Sequence, residues 1–241
     1  MVMNSKSLEG KVALVTGAGR GIGKAIAIGY AQAGADVGCV SRTISEIVST
    51  AAEISSFGGK SLAIQTDVGN REAVQNLFAK VEDYFGGLDI LVINAAVNYG
   101  RSSIEESDPE KWKETLDINL IGAYYSAKYS IPYLKARGAG KIILVGSGFG
   151  HRGSEGSSAY SCSKAALWML TRILAQELQQ YKISVNELIP GPVRTSMIPK
   201  KILPGEWLKE PQDVVPLALF LATQPDIGPT AQSFRLCRRQ I

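Results

Sequence analysis

Short apolar runs rich in β-branched residues alternate along this chain with longer segments whose apolar residues recur at the helical period. The first six runs are nearly continuous in apolar character, which is typical of parallel strands covered on both faces of a sheet. The predicted strands are Val12–Thr16, Val37–Ser41, Ser61–Thr66, Ile90–Ile93, Lys141–Val145, Ser184–Ile189 and Ala231–Leu236.

The longer segments predict helices at Ile22–Ala33, Ile44–Phe57, Arg71–Phe85, Glu110–Leu134 and Ser157–Tyr181. The fourth helix has a marked start, because Ser107-Asp108-Pro109-Glu110 offers an N-cap and a proline in the first turn. Strict alternation of strands and helices predicts an α/β fold, a doubly wound seven-stranded mostly parallel sheet flanked by helices. No linker divides the chain, so residues 1–241 are expected to form a single domain.

Composition narrows the class of protein. With 241 residues, of which 45% are hydrophobic, the chain is long enough to bury a core without disulfides or metal ions. A net charge of +4 without a basic stripe argues against binding to nucleic acid. Cys39, Cys162 and Cys237 form no metal-binding motif, so we expect no metal site and a reducing, cytoplasmic setting. We expect neither a signal peptide nor a membrane span, since no suitable apolar run is present.

A glycine-rich turn follows the first predicted strand, in the sequence Thr16-Gly17-Ala18-Gly19-Arg20-Gly21-Ile22-Gly23. A pyrophosphate must approach bare backbone closely, and the free N–H groups at the start of a helix attract it. The spacing GxxxGxG differs from the GxGxxG fingerprint and from the phosphate loop that ends in Gly-Lys-Ser/Thr. Because the turn lies between a strand and a helix, it predicts a dinucleotide site rather than a plain tight turn.

The end of the second predicted strand indicates which dinucleotide binds. An acidic residue at this point binds the ribose of NAD, whereas an arginine accommodates the 2′-phosphate of NADP. Here the strand ends in Ser41-Arg42, and Arg20 adds a second guanidinium from the glycine-rich turn. We therefore expect NADPH/NADP+ in preference to NADH/NAD+, the alternative being two solvated surface arginines.

Four further residues form a candidate catalytic group. Tyr160 and Lys164 share one face of a predicted helix, and a neighbouring ammonium lowers the pKa of a tyrosine that is otherwise a poor acid or base at neutral pH. Ser147 follows the fifth predicted strand, at the edge where open α/β sheets bind ligands. Asn119 lies inside a predicted helix, where asparagine is a mediocre helix former.

With these residues in place, the chain resembles the short-chain dehydrogenase/reductase family and its 3-oxoacyl-ACP-reductase-like and carbonyl-reductase-like members. The resemblance extends from about Leu8 to Leu236, and it implies a Rossmann fold and hydride transfer between a nicotinamide cofactor and a C=O or CH–OH group. The motifs that carry it are Thr16-Gly17-x3-Gly21-x-Gly23, Asp67-Val68, Asn94-Ala95, Asn119, Ser147, Tyr160-x3-Lys164 and Pro190-Gly191-x3-Thr195.

The resemblance also implies a role for each catalytic candidate. Tyr160 would be the general acid or base, Ser147 would orient the substrate oxygen, and Lys164 would hold the nicotinamide ribose. Asn119 would position a water molecule that continues a proton relay through Lys164. The full set of expected cofactor-binding residues is Gly17, Arg20, Gly21, Ile22, Gly23, Ser41, Arg42, Asp67, Val68, Asn94, Ala95, Tyr160, Lys164, Pro190, Gly191, Val193 and Thr195.

Three features depart from the family pattern. Ala96 stands where glycine is usual, so it adds a methyl group near the cofactor. Residues 196–210, which include Trp207, are short for a substrate lid, and we expect an open site for bulky carbonyls. The tail over residues 234–241 lacks the usual Asp-Gly-Gly, although the resemblance still implies a homodimer or homotetramer.

His151, the only histidine in the chain, follows Ser147 by four residues. Its position makes it a candidate for the substrate pocket, together with Trp207. The alternative interpretation is that His151 is a plain loop residue.

Three functions remain in consideration. The preferred one is an NADPH-dependent reductase that converts a ketone or a 3-oxoacyl thioester into a secondary alcohol, since NADP pools usually serve reduction. The second is an NAD(P)-dependent alcohol or sugar dehydrogenase working in the oxidative direction. The third is a nucleotide-binding regulator without catalysis, which the joint presence of Ser147, Tyr160 and Lys164 disfavours.

Overall fold

Seven parallel strands form one sheet in the computed structural model of the protein, which describes residues 6–197 and 208–236. The strand order is β3-β2-β1-β4-β5-β6-β7, and every neighbouring pair runs parallel. The strands are β1 (Val12–Thr16), β2 (Asp36–Ser41), β3 (Ser61–Gln65), β4 (Ile90–Ile93), β5 (Gly140–Val145), β6 (Ile183–Ile189) and β7 (Ser233–Arg235).

Helices cover both faces of the sheet and bury a separate apolar core on each. One core packs side chains such as Ile26, Tyr30 and Ile47 against the strands, and the other packs side chains such as Phe78 and Leu174. The helices are α1 (Gly21–Gln32), α2 (Ile44–Ser56), α3 (Arg71–Phe85), α4 (Pro109–Leu116), α5 (Gly122–Ala136), α6 (Gly148–Arg152), α7 (Ser158–Leu178) and α8 (Val215–Ala222). No helix within the described ranges is long and apolar enough to cross a membrane.

The direction of winding reverses between β1 and β4. The chain runs outward from β1 to β3, then returns to place β4 on the other side of β1. Neighbouring crossover helices therefore lie on opposite faces there, and a crevice opens at the carboxyl ends of these two strands. The fold thus positions a ligand site before any side chain is considered.

The sequence-based prediction of the fold is confirmed, with two corrections. The first six predicted strands agree with the structure to within one residue at either end. The helix predicted over Glu110–Leu134 is present, but a π-helical turn at Asp117–Ile121 divides it into α4 and α5. Helix α8 was not predicted, since its almost wholly apolar sequence shows no helical period.

Asp89 connects three strands at their amino ends, on the side of the sheet opposite the crevice. Its buried carboxylate accepts a hydrogen bond from the backbone N–H of Val12 at 2.9 Å. Arg137 donates two more from its guanidinium, at 3.2 and 2.8 Å. The backbone carbonyl of Asp89 accepts from the N–H of Lys141, so one residue connects β1, β4 and β5.

We predict that Asp89→Ala lowers the free energy of unfolding by about 2–4 kcal/mol, because it leaves the Val12 N–H and the Arg137 guanidinium without their acceptor. Chemical denaturation followed by circular dichroism measures the change. Glu9→Ala is the matched control, since Glu9 pairs with Lys6 on the exposed surface and should cost less than about 1 kcal/mol. Equal effects of the two substitutions would contradict the role assigned to Asp89.

Candidate active site

A cavity of about 620 Å³ opens at the carboxyl ends of the strands, over the crevice between β1 and β4. Its volume lies within the range of ~300–1,000 Å³ that is usual for small-molecule sites. The glycine-rich turn after β1 forms one wall, the ends of β2 and β3 form the next, and the ends of β4 and β5 with the start of α7 form the third. The cavity is elongated across the sheet, as a dinucleotide requires.

The glycine-rich turn leaves no room for side chains. A Cβ atom on Gly17 would lie 2.7 Å from Nδ2 of Asn94, and the positive φ of +68° already favours glycine there. A Cβ atom on Gly23 would overlap the carbonyl oxygen of Gly17 and the side chain of Asn94. Helix α1 therefore starts close to the strands, with its free N–H groups at the cavity wall. This bare backbone fits the pyrophosphate of a dinucleotide.

Thr16 and Asn94 fasten the turn to the neighbouring strand. The hydroxyl oxygen of Thr16 accepts from the backbone N–H groups of Asn94 at 2.9 Å and Ala95 at 3.1 Å. In return, Nδ2 of Asn94 donates to the carbonyl of Thr16 at 2.9 Å and to that of Gly17 at 3.3 Å. The two sides of the crevice are thus held at a fixed separation.

Arg20 and Arg42 both line the end of the cavity beside β2, which we call its outer end. Each already has a carboxylate neighbour. Arg20 Nη1 lies 3.5 Å from Oε1 of Glu46, and Arg42 Nη1 lies 4.0 Å from Oε1 of Glu114. Both guanidinium groups are more than half exposed, so these pairs are weak and can be exchanged for another anion.

Tyr160 lies in the first turn of α7 and lines the inner end of the cavity, and its hydroxyl faces that of Ser147, which lies beside the described lining. Burial raises the pKa of Tyr160, and the neighbouring hydroxyl of Ser147 opposes that rise. Ser147 is itself fixed, since its oxygen caps α6 by accepting from the N–H of Phe149 at 3.2 Å. The structure therefore places two hydroxyl groups together where a substrate oxygen could meet both.

Lys164 lies one helical turn further along α7 and is almost fully buried. Its Nζ donates to the carbonyl of Val145 at 2.7 Å and lies 5.7 Å from the centre of the Tyr160 ring. Burial lowers the pKa of Lys164 to about 8, and the negative charge of Glu187 acts in the opposite direction. A cation thus lies beneath the tyrosine, as the sequence led us to expect.

Asn119 lies in the π-helical turn, and its side chain is buried. Its Oδ1 accepts from the N–H of Val97 at 2.8 Å, while Nδ2 donates to the carbonyl of Val97 at 2.9 Å and to Oγ of Ser163 at 3.1 Å. The side chain therefore connects the segment after β4 to α7. Its predicted part in a proton relay stays a prediction.

Most of the predicted cofactor-binding residues meet at this one cavity. Gly23, Gly191 and Val193 do not line its described part. The predicted residues that do are Gly17, Arg20, Gly21, Ile22, Ser41, Arg42, Asp67, Val68, Asn94, Ala95, Tyr160, Lys164, Pro190 and Thr195.

Two predictions about the substrate side have different outcomes. Trp207 and most of the predicted lid over residues 196–210 lie outside the described residues. His151 does not line the described part of the cavity, because it turns inward, with Nε2 2.9 Å from Oε2 of Glu187 and its ring against Trp168. Its place in a substrate pocket stays a prediction.

Sequence reasoning missed several lining residues. Val145 and Gly146 follow from topology, since they end β5 beside the crevice. No feature of the sequence pointed to Glu46 or Glu210. Each reaches the cavity from a segment distant in sequence from the glycine-rich turn.

Comparison with known proteins agrees with this geometry. The sequence profile of the short chain dehydrogenase family matches residues 11–203. An uncharacterized oxidoreductase of Staphylococcus aureus is 34% identical over 90% of this chain and 93% of its own length. A 3-ketoacyl-ACP reductase from Sinorhizobium meliloti is 33% identical, with a TM-score of 0.87 over 93% of this chain and 96% of its own. A proposed gluconate dehydrogenase from Agrobacterium tumefaciens is 30% identical, with a TM-score of 0.90 over 97% of each chain.

The family profile covers most of the chain, a relative named as an oxidoreductase matches 90% of it, and a solved 3-ketoacyl-ACP reductase shares its fold. The fold, the nucleotide cavity and these likenesses together lead to one conclusion: the chain belongs to the short-chain dehydrogenase/reductase family of oxidoreductases.

Proposed function

We propose that the protein reduces a carbonyl compound, a ketone or a 3-oxoacyl thioester, to a secondary alcohol with NADPH as the hydride donor. The observation that carries this proposal is the meeting of three groups at the inner end of the cavity. The hydroxyls of Ser147 and Tyr160 face each other, and the ammonium of Lys164 lies beneath the tyrosine ring.

These groups can perform acid catalysis on a carbonyl oxygen. When bound, the dinucleotide supplies the hydride. Ser147 and Tyr160 donate hydrogen bonds to the oxygen, where negative charge develops in the transition state. Tyr160 then gives up its proton, and the positive charge of Lys164 stabilises the phenolate that remains.

The cofactor preference follows from charge at the outer end of the cavity. Gly17, Gly21 and the start of α1 would hold the pyrophosphate, whereas Arg20 and Arg42 would hold a 2′-phosphate. A phosphate dianion can displace the weakly paired carboxylates of Glu46 and Glu114 from these guanidinium groups.

The alternative is a dehydrogenase that oxidises an alcohol or a sugar with NAD+ or NADP+. Two observations favour it: Glu46 and Glu114 place negative charge beside the arginines, and one similar structure is that of a proposed gluconate dehydrogenase. The same three catalytic groups serve that direction, with Tyr160 accepting a proton. A regulator without catalysis fits less well, because it has no need of them.

The remaining expectations from sequence belong to the same proposal. We propose a single catalytic domain over residues 1–241 that works in the cytoplasm as a homodimer or homotetramer, on a small-molecule substrate. Gly23, Gly191, Val193 and Asn119 would support the cofactor site from behind its lining, and the substrate would lie against Tyr160 and Ser147.

We predict that Tyr160→Phe lowers kcat for carbonyl reduction by at least about a thousandfold, because it removes only the proton donor. Nicotinamide absorbance, followed with a panel of ketones and 3-oxoacyl thioesters, measures the rate. Tyr84→Phe is the control, since Tyr84 is an exposed residue of α3 far from the cavity. An active Tyr160→Phe enzyme would exclude the proposed chemistry.

We predict that Arg42→Ala raises KM for NADPH about tenfold and leaves KM for NADH unchanged, because a charge-assisted bond to a phosphate contributes ~1.5–3 kcal/mol. Steady-state kinetics with the two cofactors measure the difference. Arg71→Ala, at an arginine that bonds Tyr129 outside the cavity, should change neither value. A wild-type enzyme that turns over faster with NADH would favour the oxidative alternative.

We predict that kcat/KM for reduction declines as the pH rises past about 8, the pKa to which burial lowers Lys164. The sign follows from the charge: below that pH Lys164 is an ammonium that stabilises the Tyr160 phenolate, and above it the charge is lost. Initial rates across this pH range, with parallel checks of folding, measure the profile. A flat profile would show that Lys164 keeps its proton or does not act on Tyr160.

A further inference from the structure

Glu187 is a fully buried carboxylate in the middle of the central sheet. It lies in β6, whose seven residues are all buried, and it pairs in register with Leu144 of β5. Placing an ionised carboxylate in such a position costs several kcal/mol unless other groups compensate for it. A charge retained at this cost needs an explanation in terms of its neighbours.

One oxygen of the carboxylate is held firmly. Oε2 accepts a hydrogen bond from Oγ of Ser233 on β7 and lies 2.9 Å from Nε2 of His151 on α6. The His151 ring is packed against Trp168, with 5.3 Å between ring centres. Two elements from opposite sides thus fix the orientation of the Glu187 side chain.

The other oxygen lies against the end of β5. Oε1 of Glu187 is buried and makes no hydrogen bond with any of the residues that the structure describes. It lies against Gly146, where any Cβ atom would overlap it. Gly146 directly follows Val145, whose carbonyl holds Nζ of Lys164. The carboxylate oxygen and the ammonium therefore approach the same end of β5.

The two charges compensate for each other. Lys164 is as deeply buried as Glu187, and burial favours its neutral form. Among the described residues, Glu187 is the charged group whose field favours the ammonium. The groups that face Lys164 are Tyr160 on its own helix and Glu187 from β6, and the group that faces Glu187 in turn is His151 from α6.

We propose that Glu187 is a positioning residue whose buried carboxylate keeps Lys164 charged beneath Tyr160, with His151 and Ser233 holding that carboxylate in place. This assignment rests on the proposed function, since it acts on the same catalytic lysine. A purely structural role explains it less well, because a buried ion pair seldom stabilises a fold more than apolar residues of similar volume.

Direct titration of Lys164 tests the proposal without any substrate. Protein labelled with carbon isotope at the lysine side chains is followed by NMR as the pH is raised, and the Lys164 signal is assigned by its loss in Lys164→Met. We expect Glu187→Gln to lower the pH at which Lys164 loses its proton by about one unit, because an opposite charge nearby favours the ammonium. Glu187→Asp, which keeps the charge, should lower it less.

Glu177→Gln is the matched control, since Glu177 is an exposed acid at the other end of the same helix as Lys164. It should leave the Lys164 titration unchanged. An unshifted Lys164 in folded Glu187→Gln would overturn the proposal. If thermal unfolding shows that Glu187→Gln does not fold, Glu187→Asp is titrated in its place. It withdraws the carboxylate by one methylene group, so a Lys164 titration identical to that of the wild type would then overturn the proposal.

Kinetics separate this proposal from the proposed function. In Glu187→Gln the decline of kcat with rising pH should begin at lower pH, with KM for the carbonyl substrate little changed. If Tyr160→Phe abolishes turnover and Lys164 does not shift, only the role of Glu187 is wrong. If Lys164 shifts and Tyr160→Phe stays active, only the proposed function is wrong.

Discussion

The close approach of the turn after β1 to the end of β4 is the constraint on which the rest of the site depends. The Thr16 hydroxyl and the Asn94 side chain join these two strands by four hydrogen bonds, and Gly17 and Gly23 leave the space that those bonds require. Because the sheet reverses its winding at this junction, its geometry fixes both halves of the nucleotide cavity at once. Larger side chains here would separate the strands and remove the bare backbone that an anion needs.

The catalytic end of the cavity depends on a second balance, between burial and charge. Tyr160 and Lys164 lie on α7, and Ser147 caps α6 two residues after the end of β5, so all three positions are set by packed elements. Such packing also removes water, which raises the cost of an ammonium at Lys164. A second buried charge at Glu187 offsets that cost, and Gly146 gives it room.

Much of this could be predicted from the sequence. The strands could be predicted because buried parallel strands are apolar runs in the sequence, and the candidate catalytic residues were proposed because their order and spacing resemble a known family. The break at Asp117–Ile121 was not found, since apolar periodicity does not reveal a single extra residue in a turn. Glu187 carried no signal inside an apolar run, and the sequence could not show that His151 turns toward it, because spacing along the chain does not say which way a side chain turns.

The π-helical turn has a consequence for how this protein can change in evolution. A regular helix advances about 100° per residue, and the π turn accommodates one residue more than an α-helical turn would. Because the extra residue is absorbed within this one turn, deleting it would restore a continuous α-helix and leave buried Ala123 and Ala127 facing the core. The same deletion would withdraw Asn119 from Val97. The extra residue of this turn therefore serves the position of Asn119 rather than the packing of α5.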